Sequence, residues 1–111
     1  EDFIVTPQGT LIAPAVITHP FKDLKTIKDT QLIQECPDRI ILRVVLWKKN
    51  ASGASKAELQ RLCRNFREIL GDDMQIKAEV VNEIERLKSG KFKWIISEVS
   101  KGLIEKGLEN Y

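Results

Sequence analysis

The stretch IKDTQLIQECPDRIILRVVLW, residues 27–47, decides the fold of this chain. Its first part, Ile27 to Cys36, predicts a β-strand. The near-continuous apolar run from Ile40 to Trp47 predicts a central strand that is covered on at least one face. Pro37-Asp38 lies between them and is a turn signal. Because the connection is so short, the two strands are expected to pair antiparallel.

A long amphipathic helix is predicted directly after these strands. Small and polar residues at 50–54 indicate a loop, and Ser55 and Glu58 have the spacing of a capping box at the start of a helix. Gly71 fits the left-handed position after its last turn. Between these ends, apolar residues recur at helical spacing on one stripe: Leu59, Leu62, Cys63, Phe66, Ile69 and Leu70.

The segments on either side predict smaller elements. Two β-prone runs around Pro7-Gln8-Gly9 predict a hairpin over residues 3–13, and a short helix broken or begun near Pro20 follows. Alternation from Met74 to Val80 predicts another strand, and 92–97 allows a short final one after a polar loop. The chain is therefore expected to be α+β, with a small antiparallel or mixed sheet, flanking helices and a βαββαβ-like order after the hairpin.

Composition excludes several classes of protein. The 111 residues allow one domain, and 18 Lys+Arg against 16 Asp+Glu give a net charge of +2, which is weak support for a nucleic-acid partner. No apolar run has the length of a membrane span, and residues 1–7 lack the pattern of a signal peptide. Cys36 and Cys63 are interpreted as buried free thiols, which favours a reducing, cytoplasmic setting.

One segment has the composition of a chemical site, namely residues 88–94, KSGKFKW. Ser89-Gly90 provides a mobile backbone that can approach a ligand closely, and Lys91 is a compact cation suited to phosphate or carboxylate oxygens. The alternative is a solvated basic turn between strands. Elsewhere the chain has no Cys-x-x-Cys and no phosphate-loop signature, and His19 is interpreted as a surface or structural histidine.

The two ends of the chain together resemble a known family. The stretch LKSGKFKWIIS at 87–97 resembles the C-terminal signature of the adenylate-forming superfamily, in which a small residue and a glycine precede a lysine. The start, EDFIVTPQGTLIAP, resembles the hinge and hairpin that open the same C-terminal domain, on the residues Glu1, Asp2, Gly9, Ile12 and Pro14. The runs at 18–24 and 31–35 are similar to the phenylacetate–CoA ligase group and its relatives in capsular polysaccharide biosynthesis. Thr18 and Lys93 depart from the frequent Glu and Arg of the superfamily.

This resemblance implies a function for the whole chain. Residues 1–111 would form one C-terminal lid domain of a larger enzyme, with a hinge at Glu1 and Asp2, a hairpin at 3–13, a core at 15–97 and a tail at 98–111. Lys91 would be the catalytic lysine of acyl-adenylate formation. Gly9, Ser89 and Gly90 would lie against the cofactors, which are magnesium-bound ATP and coenzyme A. The implied partners are an N-terminal domain and a small carboxylic acid, without a nucleic acid, a membrane or a metal site in this domain.

Two alternatives remain open at this point. The first is a stand-alone ferredoxin-like module that binds a small ligand or RNA, for which Trp47 and Trp94 are the candidate stacking residues. The second is an oligomerisation domain that would bury Leu103, Ile104 and Leu108 of the tail against a partner. Because residue 1 is glutamate rather than methionine, a processed chain or an excised fragment of a larger protein is expected.

Overall fold

The computed structural model describes residues 2–48, 52–100 and 102. A hairpin and two short helical turns precede the sheet, and one long helix interrupts it. In chain order the elements are β1 (Ile4–Val5), β2 (Leu11–Ile12), α1 (Pro14–Ile17), a 3₁₀ turn (His19–Phe21), β3 (Ile27–Cys36), β4 (Arg39–Leu46), α2 (Gly53–Leu70), β5 (Gln75–Val80) and β6 (Ile95–Ser97).

The main sheet is four-stranded and mixed, with the order β5-β4-β3-β6. β3 and β4 pair antiparallel, as their short connection predicts, whereas β5 runs parallel to β4 and β6 runs parallel to β3. The order from β2 to β5 is βαββαβ, but β2 pairs only with β1 in a separate two-stranded sheet. The predicted α+β class is confirmed. Strand β6 comes after this βαββαβ order in the chain and lies at the edge of the sheet beside β3.

The core lies between α2 and one face of the sheet. The helix contributes its predicted stripe, of which Leu62, Phe66 and Leu70 are fully buried. Phe21 of the 3₁₀ turn packs edge-to-face on Phe66, with ring centroids 5.2 Å apart. The sheet and the hairpin complete this cluster with Ile4, Leu32, Ile40, Leu42, Val44 and Ile95. The hairpin is therefore part of the same hydrophobic core as the main sheet.

The N-terminus of α2 differs from its prediction. The helix begins at Gly53, and Ser52 is the N-cap, whose hydroxyl accepts a hydrogen bond from the backbone N–H of Ser55. The Ser55 hydroxyl in turn accepts from the N–H of Ser52, so two serines form the capping box. The predicted box of Ser55 with Glu58 is wrong because it starts three residues late.

Glu58 holds the chain before β3 instead. Its carboxylate accepts hydrogen bonds of 2.9–3.2 Å from the backbone N–H groups of Lys25, Thr26 and Ile27 and from the Thr26 hydroxyl. Burial acts to raise the pKa of Glu58, but these hydrogen bonds outweigh it, so the pKa lies below its ordinary value of 4.5. The ionised side chain thus ties α2 to the entrance of the sheet.

We expect Glu58→Gln to destabilise the chain at neutral pH by about 1–2 kcal/mol, because charge-assisted hydrogen bonds become neutral ones. The lowered pKa means that Glu58 stabilises the fold above its unfolded pKa and loses this contribution as the pH falls through its folded pKa. Urea unfolding of the parent chain and of Glu58→Gln at pH 7 and pH 3 measures the difference between their free energies of unfolding. The difference between them should shrink at pH 3, and a difference that stays constant with pH would contradict the role of the charge. The control is Glu68→Gln at an exposed position of the same helix.

The structure also tests the predictions for the final strand and for the two cysteines. The final strand is only Ile95–Ser97, and it buries Ile95 and Ser97 rather than alternating from residue 92. Cys36 and Cys63 are free thiols as predicted, but they are half-buried rather than buried. Burial raises the pKa of the Cys63 thiol, an effect that the Arg67 cation partly offsets. The predictions for Glu1, for residues 49–51 and for the tail at 101 and 103–111 lie outside the described residues.

Candidate functional site

The connection between β5 and β6, residues 81–94, crosses the face of the sheet that α2 leaves free. These two strands lie at opposite edges of the sheet, so the connection has to span its full width. The Gln31 amide donates to the carbonyl of Lys93 at 2.8 Å, and Arg86 lies 3.5 Å from Asp29. Gln31 and Asp29 alternate along β3 with the core residue Leu32 and therefore face away from α2. Ile84, only 4% exposed, anchors the connection.

Residues 87–91 form a closed turn at the end of this connection. The N–H of Leu87 donates to the carbonyl of Lys91 at 2.7 Å, and the N–H of Gly90 donates to the carbonyl of Leu87 at 2.9 Å. Gly90 has a φ of 85°, the conformation required at the third position of such a three-residue hairpin loop. A side chain there would meet no other atom, so the glycine is needed for its backbone alone. The Ser-Gly backbone, predicted to be mobile, is thus held in a defined turn.

The hairpin near the N-terminus contains the same turn. The N–H of Thr6 donates to the carbonyl of Thr10, and the N–H of Gly9 donates to the carbonyl of Thr6, both at 2.8 Å. Gly9 has a φ of 89° and is exposed. Two of the predicted cofactor-binding residues, Gly9 and Gly90, therefore occupy equivalent backbone positions in two separate turns.

The structure does not bring these two turns together. The turn of Gly9 lies beside the start of β5, because the Gln8 amide donates to Asp73 at 2.9 Å. The turn of Lys91 is tied by Arg86 to Asp29, near the start of β3. The first turn lies towards the other end of β3, and at 3.3 Å per residue Asp29 and Cys36 are about 23 Å apart. The predicted site residues thus form two separate surfaces.

Lys91 stands on the exposed side of its turn. Within residues 2–48, 52–100 and 102, its ammonium has no ion-pair partner, whereas its backbone is fixed by the turn. Ser89 is exposed next to it, as are Lys88 and Lys93. A compact cation on a fixed backbone can stabilise negative charge that approaches from outside the domain.

The predicted hinge residue Asp2 is bonded to the strand that follows this turn. Its carboxylate accepts a hydrogen bond from the N–H of Ser97 at 2.9 Å, and its own N–H faces the carbonyl of Ile95 at 3.5 Å. Glu1, the other predicted hinge residue, lies outside the described residues. Asp2 is therefore the point at which the N-terminus of the described chain joins β6.

Gln34 is a structural residue that the sequence reasoning missed. It is fully buried in β3, and its amide bonds both backbone groups of Val5: Nε2 donates to the carbonyl at 2.6 Å and Oε1 accepts from the N–H at 3.0 Å. Oε1 also accepts from the Ser97 hydroxyl at 2.9 Å. The available signal was a polar residue in phase with the apolar Leu32, two positions away on the core-facing side. This amide joins β1, β3 and β6.

The two tryptophans line one open cavity of about 360 Å³ with Phe21 and Phe92. Trp47 follows β4 and is 65% exposed, whereas Trp94 precedes β6 and is 43% exposed. Because β3 separates their strands, they do not form the pair of aromatics on adjacent strands that RNA-binding sheets present. The arrangement gives little support to the RNA-binding alternative.

Other candidate chemistry is absent from the described part of the chain. His19 is exposed, in agreement with its interpretation as a surface histidine. Within residues 2–48, 52–100 and 102, no three His, Cys, Asp or Glu side chains are grouped so that they could hold a metal ion. No helix in these same ranges combines the length and the apolar character needed to cross a membrane.

A comparison with protein families decides the classification. The model of the CapK C-terminal domain matches residues 4–98, which include the hairpin, the sheet, α2 and the turn of Lys91. The chain belongs to the CapK C-terminal domain family. This confirms the resemblance to the C-terminal domain of an adenylate-forming enzyme that the two end motifs indicate.

A solved structure shares the fold of this CapK C-terminal domain. It is the crystal structure of an open conformation of 2-hydroxyisobutyryl-CoA ligase in complex with 2-HIB-AMP and CoA, with a TM-score of 0.61 and 18% sequence identity. The match covers 86% of this chain but only 21% of the ligase, so the chain spans about a fifth of the length of that structure. A search of curated proteins finds no match.

Proposed function

We propose that this chain is the mobile C-terminal domain of an ATP-dependent ligase that activates a carboxylic acid as its acyl-adenylate. The observation that carries the proposal is the turn of residues 87–91, which presents the exposed side chain of Lys91 on a fixed backbone. The family match and the shared fold with a CoA ligase support it.

In the proposed reaction, Lys91 acts in the first step. A carboxylate oxygen of the acid bonds to the α-phosphorus of ATP while pyrophosphate leaves. Negative charge builds on the non-bridging oxygens during this displacement, and Lys91, placed in advance, stabilises it. In a closed site from which water is excluded, one such well-placed donor contributes on the order of 3–4 kcal/mol. The exposed Lys91 side chain can reach oxygens of this kind without any rearrangement of its own domain.

The second proposed step uses the other surface of the domain. Since the turn of Gly9 and the turn of Lys91 lie towards opposite ends of β3, they cannot both face one reacting centre. Rotation about a hinge at Glu1 and Asp2 would withdraw Lys91 and bring the turn of Gly9 to the thiol that accepts the acyl group. Ser89 and Gly90 would face the nucleotide in the first step, and Gly9 would face the thiol in the second.

The finer features of the proposal rest on the sequence. The runs at 18–24 and 31–35 resemble the phenylacetate–CoA ligase group, which makes phenylacetate the first acid and coenzyme A the first acceptor to test. ATP would be used as its magnesium complex. The remaining partner is an N-terminal domain of the same enzyme, which would hold the acid and the nucleotide, and the free thiols favour a cytoplasmic location.

Exchange of pyrophosphate into ATP tests this proposal in the enzyme that contains the chain. We expect exchange that depends on an added carboxylic acid, with phenylacetate as the first acid to try and a panel of aryl and 2-hydroxy acids beside it. Pyrophosphate exchange reports the first step alone, because it reverses the displacement at the α-phosphorus. Failure of every acid in the panel to support exchange would contradict the proposed function.

A further inference from the structure

The side chain of Arg86 contacts the residues on both sides of Lys91. Its Nη1 donates a hydrogen bond to the carbonyl of Gly90 at 3.0 Å, and its guanidinium carbon lies 5.1 Å from the centre of the Phe92 ring. Its Nη2 lies 3.5 Å from Oδ2 of Asp29 on β3. One planar cation therefore joins the turn, the aromatic residue that follows it and the sheet.

These contacts fix the two peptide groups that flank the α-carbon of Lys91. The group before it contains the Gly90 carbonyl, which accepts from Arg86. The group after it contains the Lys91 carbonyl, which accepts from the N–H of Leu87. Once both groups are held, the direction in which the Lys91 side chain leaves the backbone is set. Without the first bond, only the two backbone hydrogen bonds of the turn hold this segment, and glycine has no side chain that restricts its backbone further.

The guanidinium group is suited to this task in a way that a lysine is not. Arginine presents its donors in a rigid planar fork, so that Nη1 and Nη2 can serve two acceptors at once while the plane lies on an aromatic ring. An ammonium group at position 86 is a point charge and cannot reproduce this combination. In Arg86, Nη1 donates to the Gly90 carbonyl while Nη2 lies within ion-pair distance, 3.5 Å, of Asp29.

We propose that Arg86 is a positioning residue for the proposed adenylation, acting through Lys91, and that Asp29 anchors it to the sheet. This inference rests on the proposed function and adds to it the reason why the backbone that carries the Lys91 side chain is held in place before substrates arrive. Misplacement of a reacting group by about 1 Å costs up to about 100-fold in rate, so loss of this anchor has a measurable effect.

A double-mutant cycle on acyl-adenylate formation in the whole enzyme tests the inference. We expect Arg86→Ala to lower kcat about tenfold with KM for ATP changed less than about threefold, because positioning affects the transition state rather than binding. We expect Arg86→Lys not to restore the rate, and Asp29→Asn, which keeps the arginine and loosens its anchor, to lower it by a smaller factor. In the Lys91→Ala background, Arg86→Ala should have no further effect.

The control is Arg43→Ala, which removes the same charge from a strand residue on the same face of the sheet. Arg43→Ala should leave kcat and KM for ATP unchanged. A further loss on adding Arg86→Ala to Lys91→Ala would show that Arg86 acts on substrate itself and would overturn the positioning role. Full activity of Arg86→Ala, in an enzyme that Lys91→Ala slows, would also overturn the positioning role. The proposed function would stand in that case. If Lys91→Ala alone leaves the rate of adenylate formation unchanged, the proposed role of Lys91 fails and this inference fails with it, whereas the ligase function itself is tested separately by pyrophosphate exchange.

Discussion

Replacing Lys91 with alanine should slow acyl-adenylate formation in the whole enzyme by about 10²–10³-fold. This is the loss measured when one fixed donor to developing charge is removed from a closed active site. The substitution should leave the fold unchanged, because the Lys91 side chain is exposed and its backbone bonds do not depend on it. The measurement is single-turnover formation of the adenylate, followed by quenching and separation of the products.

Lys88→Ala is the matched control for this prediction. Lys88 belongs to the same turn and is equally exposed, but it precedes the Ser-Gly pair on the other side of the loop. Removing it changes the net charge by the same amount, so it separates a general electrostatic effect from the placement of one ammonium. We expect Lys88→Ala to remain within about threefold of the parent rate. Equal losses for the two variants would mean that only the charge of the turn matters.

Replacing Gln34 with leucine should destabilise the chain by about 3 kcal/mol. The substitution keeps the approximate size of the side chain but removes the hydrogen bonds of the amide to the N–H and carbonyl of Val5, the hydroxyl of Ser97 and the carbonyl of Pro37. Buried polar groups that are left without a hydrogen bond cost about 1–3 kcal/mol each, although local opening to water limits the sum. Urea unfolding of the chain at neutral pH measures the loss.

Gln75→Leu is the control for this substitution, because Gln75 is an exposed strand residue and the same change should cost less than about 0.5 kcal/mol. Hydrogen exchange adds a local measurement. The amide of Val5 donates to Gln34, so it should exchange faster in Gln34→Leu than in the parent chain. A loss of stability no larger than that of Gln75→Leu would contradict the proposed role of Gln34 in joining the hairpin to the sheet.

Regular periodicity made the main elements of this fold predictable from the sequence. The stripe of α2, the paired strands β3 and β4 and the alternation of β5 all have local repeats that agree with how they pack. The error at the start of α2 has a physical reason. The spacing of Ser55 and Glu58 satisfies a local capping rule, but the partners of Glu58 lie about thirty residues earlier in the chain. Long-range hydrogen bonds of this kind leave no local pattern.

The candidate site was only partly predictable for the same reason. The loop that contains Gly90 could be predicted because Ser89-Gly90 is a short local signal, whereas the role of Lys91 follows from the family resemblance and stays a prediction. The contacts of Arg86 with Asp29 and of Asp2 with Ser97 join residues far apart in sequence, so no spacing predicts them. The separation of the two glycine turns also depends on the sheet order, in which β6 lies beside β3 rather than beside β5.

In the proposed cycle, this domain supplies Lys91 to one half-reaction and withdraws it for the other. The most direct test compares, in one preparation of the Lys91→Ala enzyme, the rate of adenylate formation with the rate of thioester formation from a supplied acyl-adenylate. We expect a loss of about 10²–10³-fold in the first rate and at most a few-fold in the second. Equal losses in the two half-reactions would contradict it.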